Sequence, residues 1–493
     1  MYYELKTTTG RVANLLNEYT PTHRLPPELL TRIFDLVVDR DSEEYTKRII
    51  PLTHICQYWR TAIMSHARIW STLRMKPGDP GIISEWLARS KKATLTVIAE
   101  FTDTYEHPPC RYQDSATATL ADGDTLNVCP RHKAVLSLDK LLPHRSRIRN
   151  LNILLHSSDP EWVDDDREDE PTLLHHPFFK KTLPNLQRLD FRAAHVEQDR
   201  YTILIPNGLF AKKLPRLREL KYLGVTGGLT ETAKGLISCE IGCWSQSAGP
   251  TIIDEEELWV FLNNNKTLKS LTINECEFAS YFRGSTPIIM TDLEFLKIGC
   301  PIDDDLQKIL QLIHVPQFKD LDTVHLSLRS PRIEMVATNS PGHTFEFLQF
   351  VGDNLNFDPL QRLGANITTL RLGRGATLEQ RDEPTLFSLF KSLDTVQVLE
   401  FDGTIAHHVQ LSILCLARVF PGLQVIRVAV GRDGCKRTLQ LLATISKLRM
   451  ERGNPLATVE QLVLEGDDEL NQRLRAKWKK LYKAEGIQNF LSR

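Results

Sequence analysis

Residues 268–276, LKSLTINEC, and residues 293–300, LEFLKIGC, carry one frame: apolar, two other residues, apolar, one other, apolar. This LxxLxL frame, with other apolar residues tolerated, recurs along the chain. It starts at 148 (IRNLNI), 186 (LQRLDF), 217 (LRELKY), 236 (LISCEI), 321 (LDTVHL), 345 (FEFLQF), 367 (ITTLRL), 396 (VQVLEF), 423 (LQVIRV) and 459 (VEQLVL). Most starts lie about 20 to 36 residues apart, the period of repeat architectures once insertions are allowed. The alternation closing each frame predicts a short strand, since successive strand side chains point to opposite faces. Helical patterns lie between the frames. DEEELWVFLNNN (254–265) and DDDLQKILQLIHV (303–315) open with carboxylates suited to a helix N-terminus, and EPTLFSLFKSL (383–393) has Pro384 near its first turn. The expected unit is strand, turn, helix, turn, and each unit hides one apolar edge only by stacking on the next.

A chain of 493 residues, 41% hydrophobic and 25% charged, can bury a large core and exceeds the length at which single cores usually split or become elongated. Its 61 basic and 62 acidic side chains leave a net charge of -1, so no global field favours nucleic acid or anionic membrane, although a local patch is compatible with that balance. No apolar run approaches the roughly 20 residues that span a bilayer, and MYYELKTTTGRVANLLNEY at the N-terminus lacks the basic and apolar regions of a secretory signal. The expected location is cytoplasm and/or nucleus. Nine scattered cysteines, an odd number, fit reduced thiols better than a disulfide framework.

Ahead of the repeats stand two apolar helical patterns, HRLPPELLTRIFDLV (23–37) and IPLTHICQYWRTAIMSHARIW (50–70), separated by the polar stretch DRDSEEYTKR, read as a loop. Pro26 and Pro27 suit the first positions of a helix, where a missing N–H costs nothing, and Glu28 places a carboxylate near the positive end of the dipole. Leu29, Ile33, Leu36 and Val37 recur at helical spacing, while Leu30 and Phe34 widen the apolar stripe beyond what one neighbour needs. Ile55, Tyr58, Trp59, Ala62 and Ile63 form the second pattern, closed by Ile69, Trp70 and Leu73.

The order Leu25-Pro26 with Glu28, Leu29 and Leu30, then Ile33-Phe34, then Leu52, Cys56, Trp59-Arg60 and Trp70 resembles the F-box. Its long charged linker and PTHRLPPELL lead-in look most like the large fungal set of that family. The frames after it resemble leucine-rich repeats of the type with a helical convex side, and Cys276 and Cys300 stand where such repeats often carry Asn or Cys. The fold class these resemblances imply is an α/β solenoid: a small helical F-box followed by an irregular leucine-rich-repeat horseshoe with a concave parallel sheet and a largely helical convex side. The expected organisation is a lead-in (1–21), an F-box (22–75), an irregular linker and first repeat region (76–147), the repeat array (148–470) and a C-terminal capping helix (471–493). The F-box resemblance implies docking onto a Skp-type adaptor and, through it, a cullin-RING ubiquitin ligase. Leu25, Pro26, Leu29, Leu30, Phe34 and Leu52 are carried over as adaptor-facing positions, each of which could instead pack inside the module.

In a repeat array the sheet face offers an ordered row of side chains. The residue between the last two apolar positions of each frame points away from the core, which selects Asp190, Lys221, Thr272, Lys297, His325, Gln349, Arg371, Glu400, Arg427 and Val463. This mixed, mostly charged surface is the expected site for an unidentified protein target.

Other features are weaker. HPPC (107–110) and CPRH (129–132) have H-x2-C and C-x2-H spacing, but the ligand order is unusual for zinc and no metal is expected. The acidic run DPEWVDDDREDEP (159–171) lacks the spacing of a calcium loop and reads as a solvated segment. The pairs His175-His176 and His407-His408 read as surface or rim residues, and 471–491 as a terminal helix with basic residues beside its apolar face. No nucleophile elbow, phosphate-binding loop, dinucleotide fingerprint or H-E-x-x-H is present, and Cys435 beside Lys436 and Arg437 has no identifiable base. The expectation is a non-enzyme without cofactors that binds neither nucleic acid nor membrane. Two functions fit: a substrate receptor of the ligase, or a non-degradative scaffold that binds proteins through its repeats.

Overall fold

The computed structural model describes residues 8, 12, 19–38, 45–75, 80–103, 130–157, 174, 176–195, 203–204, 214–226, 234–243, 251–274, 276–278, 286–300, 309, 311–316, 323–329, 332–338, 344–350, 367–372, 391, 393–401, 420–429, 444–445, 447–451, 458–462 and 490–492. The chain divides into two compact units, Met1–Leu236 with Trp244–Gly249, and Ile237–Cys243 with Pro250–Arg493. Both are α/β units built on a mainly parallel sheet whose strand order is linear and does not close on itself.

The first unit begins with a short 3-10 turn, Pro21–Arg24, and three helices, Pro27–Val37, Tyr45–Leu52 and Gln57–Ser65. The middle helix occupies part of the stretch read as a polar loop. Tyr45 and Ile49, one turn apart and both fully buried, supply the apolar stripe that the neighbouring charges obscure. The chain then enters the sheet as β1 (Thr72–Met75), β2 (Leu95–Asp103), β3 (Ile148–Ser157) and β4 (Arg188–His195), and after β5 (Ile203–Leu204) adds β6 (Glu219–Leu223) and β7 (Val225–Thr226). β1, β2, β3, β4 and β6 pair in that order, all parallel, while β5 and β7 form a separate parallel pair. Helices Pro80–Arg89 and Pro130–Leu141 lie between β1 and β2 and between β2 and β3.

The second unit contributes β8 (Ser238–Gly242), β9 (Thr251–Ile253), helix Glu255–Asn264, β10 (Ser270–Asn274), β11 (Cys276–Phe278), β12 (Ile288–Ile289), β13 (Phe295–Cys300) and β14 (Ile313–His314). It continues with β15 (Thr323–Arg329), β16 (Arg332–Thr338), β17 (Thr344–Phe350), β18 (Thr369–Leu372), β19 (Val398–Phe401), β20 (Val425–Ala429), β21 (Thr458–Leu462) and β22 (Phe490–Ser492). Its sheet runs β8, β10, β13, β17, β16, β15, β18, β19, β20, β21, β22. β9 with β11 and β12 with β14 make short parallel pairs beside it.

Every quoted frame lies on a strand, but two departures mark this sheet. Frames 321 and 345 are not successive rungs. β15, β16 and β17 form an antiparallel meander in which β17 joins β13 and β15 joins β18, so β16 breaks the parallel run. At the other end, Phe490–Ser492 pairs parallel with β21 where the sequence suggests the end of a helix. Residues 471–489 lie outside the described set, as do most of 303–315 and 383–393.

The core repeats from strand to strand. In the first unit Leu189 and Phe191, and Leu220 and Tyr222, are buried on one sheet face; in the second, Cys239 and Ile241, Leu271 and Ile273, and Leu296 and Ile298 are likewise buried on one face of its sheet. A further apolar position three residues before the frame is also buried in Leu183, Leu214, Met290, Leu393 and Phe420. Its carbonyl accepts the N–H of the frame's first residue: Leu186 to Leu183, Leu217 to Leu214 and Leu423 to Phe420, at 3.2, 3.1 and 3.0 Å. The true unit is thus longer than LxxLxL by one tight turn. Asp254 caps helix Glu255–Asn264 through the N–H of Glu257, as its run of carboxylates suggests.

Candidate functional site

Helix Pro27–Val37 starts where the prolines place it: the N–H groups of Leu29 and Leu30 donate to the Pro26 carbonyl at 3.0 and 3.1 Å. The Tyr58 hydroxyl donates to the Leu25 carbonyl at 2.6 Å, fastening the entry of this helix to helix Gln57–Ser65. Cys56 caps that second helix through its sulfur, which accepts the Trp59 N–H. The apolar surface of helix Pro27–Val37 is divided. Leu30 and Phe34 are fully buried, Phe34 meeting Trp59 edge-on at 5.0 Å, so as placed both serve the module's own core. Leu29, Ile33, Leu36 and Val37 form the adjacent stripe and remain 49, 38, 81 and 53% exposed. Of the other adaptor-facing candidates, Pro26 is exposed, and Leu25 and Leu52 are partly covered. Exposed Ile50, on helix Tyr45–Leu52, and Ile55, in the turn after it, add further apolar surface.

The helices are continuous with the sheet. Trp70, 1% exposed, donates its indole N–H to the Ile63 carbonyl at 2.9 Å and stacks edge-on against Trp86, while Arg89 lies over its ring at 4.5 Å. The Tyr45 hydroxyl donates to the Ile69 carbonyl. Residues 22–75 and helix Pro80–Arg89 therefore share a core.

Strand register brings the outward residues into rows. In the first unit Arg74, Ile98, Asn152, Asp190 and Lys221 are successive partners. Asp190 is only 6% exposed and is gripped by Arg192 through two hydrogen bonds of 2.7 Å, so its carboxylate is engaged within the protein rather than presented to a target. In the second unit Glu240, Thr272, Lys297 and Glu346 align across β8, β10, β13 and β17. His325, Arg371, Glu400, Arg427 and Glu460 align across β15, β18, β19, β20 and β21. Glu400, with its side chain 15% exposed, sits 3.4 Å from Arg371 and 3.6 Å from Arg427, an alternating ladder of charge.

Register also displaces one candidate. Gln349 is opposite Cys300, whereas Glu346 is opposite Lys297. Glu460 is likewise opposite Arg427, three residues before the suggested Val463, which lies outside the described residues. In both frames the apolar residues recur often enough to fit the pattern three positions late, and only hydrogen-bonded pairing resolves the phase. Asn152, Glu240, Glu346 and Glu460, with Arg74 and Ile98 on the strands ahead of the quoted frames, are the row positions that sequence reasoning missed. The first two were legible, since each stands at the outward place of a quoted frame.

Among the described residues no group of metal-ligating side chains comes together, and no helix is long and apolar enough to cross a membrane. HPPC, Cys129, the acidic run, His175, His407, His408 and Cys435 lie outside them. His176 is buried rather than at the surface. Its Nε2 stands 3.2 Å from Asp139 and its Nδ1 accepts the Phe178 N–H at 3.1 Å. Burial lowers its pKa from the ordinary 6.5, against the opposing pull of Asp139. Cys239, Cys243 and Cys276 are buried thiols that form no disulfide, and burial followed by the charge of Glu240 drives the Cys239 pKa upward. Cys276 follows its strand as the repeat pattern suggests and donates to the Asn274 carbonyl at 3.5 Å.

The chain matches no family model, and comparison with curated proteins finds no match.

Proposed function

We propose that the chain is the substrate-recognition subunit of a cullin-RING ubiquitin ligase, acting in the cytoplasm or nucleus. Helix Pro27–Val37 docks a Skp-type adaptor, and a leucine-rich-repeat solenoid presents its charged sheet rows to a protein target. The observation that carries this reading is the second apolar stripe of the helix. One stripe fills the module's core through Leu30 and Phe34, while Leu29, Ile33, Leu36 and Val37 remain exposed beside it. A contiguous apolar stripe in water gains stability only when a partner covers it. The rows support the second half, because parallel pairing at about 4.8 Å per strand holds their charges in a fixed array that a target can match. The chain's part in the chemistry is proximity: it raises the effective concentration of the target near the conjugating enzyme.

The test is co-purification of full-length chain with its host's Skp-type adaptor. Wild type is expected to hold the adaptor and its cullin, and Pro26→Ala with Leu29→Ala to lose both while melting normally. An adaptor retained by the double variant overturns the docking surface. A complex that lacks cullin, with targets unchanged in abundance when docking is removed, assigns the chain to scaffolding instead.

A further inference from the structure

The edge at which β3, β4 and β6 begin is basic in a chain of net charge -1. Segments 142–149, 176–188 and 214–218 contain Arg145, Arg147, Arg149, Arg188, Arg216 and Arg218 and no Asp or Glu. Among the described residues, Arg188 alone of these pairs with a carboxylate, that of Glu219 on the neighbouring strand. The other guanidinium groups at the strand starts are held by neutral acceptors. Arg149 donates to the Gln187 side-chain carbonyl at 2.6 Å, Arg216 to that of Asn185 at 2.8 Å, and Arg218 to the Gly235 backbone carbonyl at 2.7 Å. Asn185 in turn donates to the Ser146 carbonyl at 2.6 Å, so the turns before the three strands are joined by one hydrogen-bonded chain. Arg149, Arg216 and Arg218 are exposed, and none has an ion-pair partner among the described residues.

Neutral acceptors fix a guanidinium without cancelling its charge. The exchange of Arg149, Gln187 and Arg218 backbones places two of these arginines one strand apart on either side of Gln187. Two strand spacings put them about 10 Å from each other. This is about the reach of acidic side chains three residues apart on a peptide extended in the polyproline II conformation, which has three residues per turn, places them on one side and rises about 3.1 Å per residue. We infer that this rim, formed by Arg149, Arg216 and Arg218, docks an extended acidic segment of a protein partner, its carboxylates or phosphoserine phosphates received by the guanidinium forks. Both anions match that planar donor geometry. Nucleic acid fits less well: the phenyl rings of these segments, Phe178 and Phe179, are buried and offer no surface on which bases could stack. The site is independent of the adaptor reading, since it requires nothing of residues 22–75.

Fluorescence anisotropy of the purified full-length chain tests it with three labelled probes: a Glu/Asp-rich peptide, the same peptide with phosphoserines replacing the acidic residues, and an oligothymidine of equal charge. At least one peptide is expected to bind, to weaken as salt rises and to lose at least about tenfold in affinity with Arg149→Gln, Arg216→Gln and Arg218→Gln combined. The stronger peptide identifies carboxylate or phosphate as the recognised group. The single variants Arg149→Gln and Arg218→Gln make the same comparison at partial effect should the triple variant melt early. Equal affinity in wild type and folded variants, binding of neither peptide, or tighter binding of oligothymidine overturns the inference.

Discussion

His176 ties its own turn to helix Pro130–Leu141 by using both ring nitrogens. Nδ1 accepts the Phe178 N–H, which requires that nitrogen to be unprotonated, while Nε2 faces Asp139. Because its folded pKa is depressed below 6.5, the unfolded chain binds the proton more readily. Its contribution to stability is therefore complete above pH 6.5 and is lost as pH falls from there through the folded value. Chemical denaturation across pH 5 to 7 is expected to show this decline, and His176→Gln to flatten it; an unchanged slope places the pH dependence elsewhere. Gly242 is constrained by space as well as backbone. It sits at φ +129°, and a Cβ there would stand 1.8 Å from the Asn274 carbonyl oxygen, which already accepts the Cys243 N–H at 2.8 Å. Gly242→Ala is expected to cost about 3 kcal/mol in a denaturant titration, far more than a surface substitution.

At the scale of elements, the division of helix Pro27–Val37 into two apolar stripes separates stability from the proposed adaptor docking. Phe34→Ala is expected to lower stability by about 3 to 5 kcal/mol, because it opens a cavity under Trp59. Leu36→Ser, on a side chain 81% exposed, is expected to leave melting nearly unchanged and to reduce adaptor capture. Equal losses of melting temperature for the two variants contradict the division. The periodicity of this helix was legible in sequence, but the choice of stripe was not: Leu29 and Leu30 are chemically alike, and only tertiary packing decides which is covered. The middle helix was hidden for another reason. Its two buried residues, Tyr45 and Ile49, stand among Thr46, Lys47 and Arg48, so a short apolar stripe reads as a polar run.

Across each unit, stability rests on neighbours. β1 pairs with β2, and Trp70 beside it packs on Trp86, so removing residues 22–73 takes away a sheet edge together with its aromatic anchor. That deletion is expected to lower the melting temperature and expose apolar surface to a dye such as ANS, whereas Leu29→Ala with Leu36→Ser is not. A deletion variant that melts like wild type would show that the helices contribute nothing to the first sheet. Spacing of apolar residues determined by itself where the strands form, since an alternating run can bury one face only as a strand, and it located the first helix through its prolines. Tertiary structure alone decided their order and phase. The β15–β17 meander, the alignment of Glu346 with Lys297 and the burial of Leu30 beside exposed Leu29 depend on which backbone hydrogen bonds and side chains meet across long separations. A local pattern constrains which face of an element is apolar; it does not contain the partner that covers it.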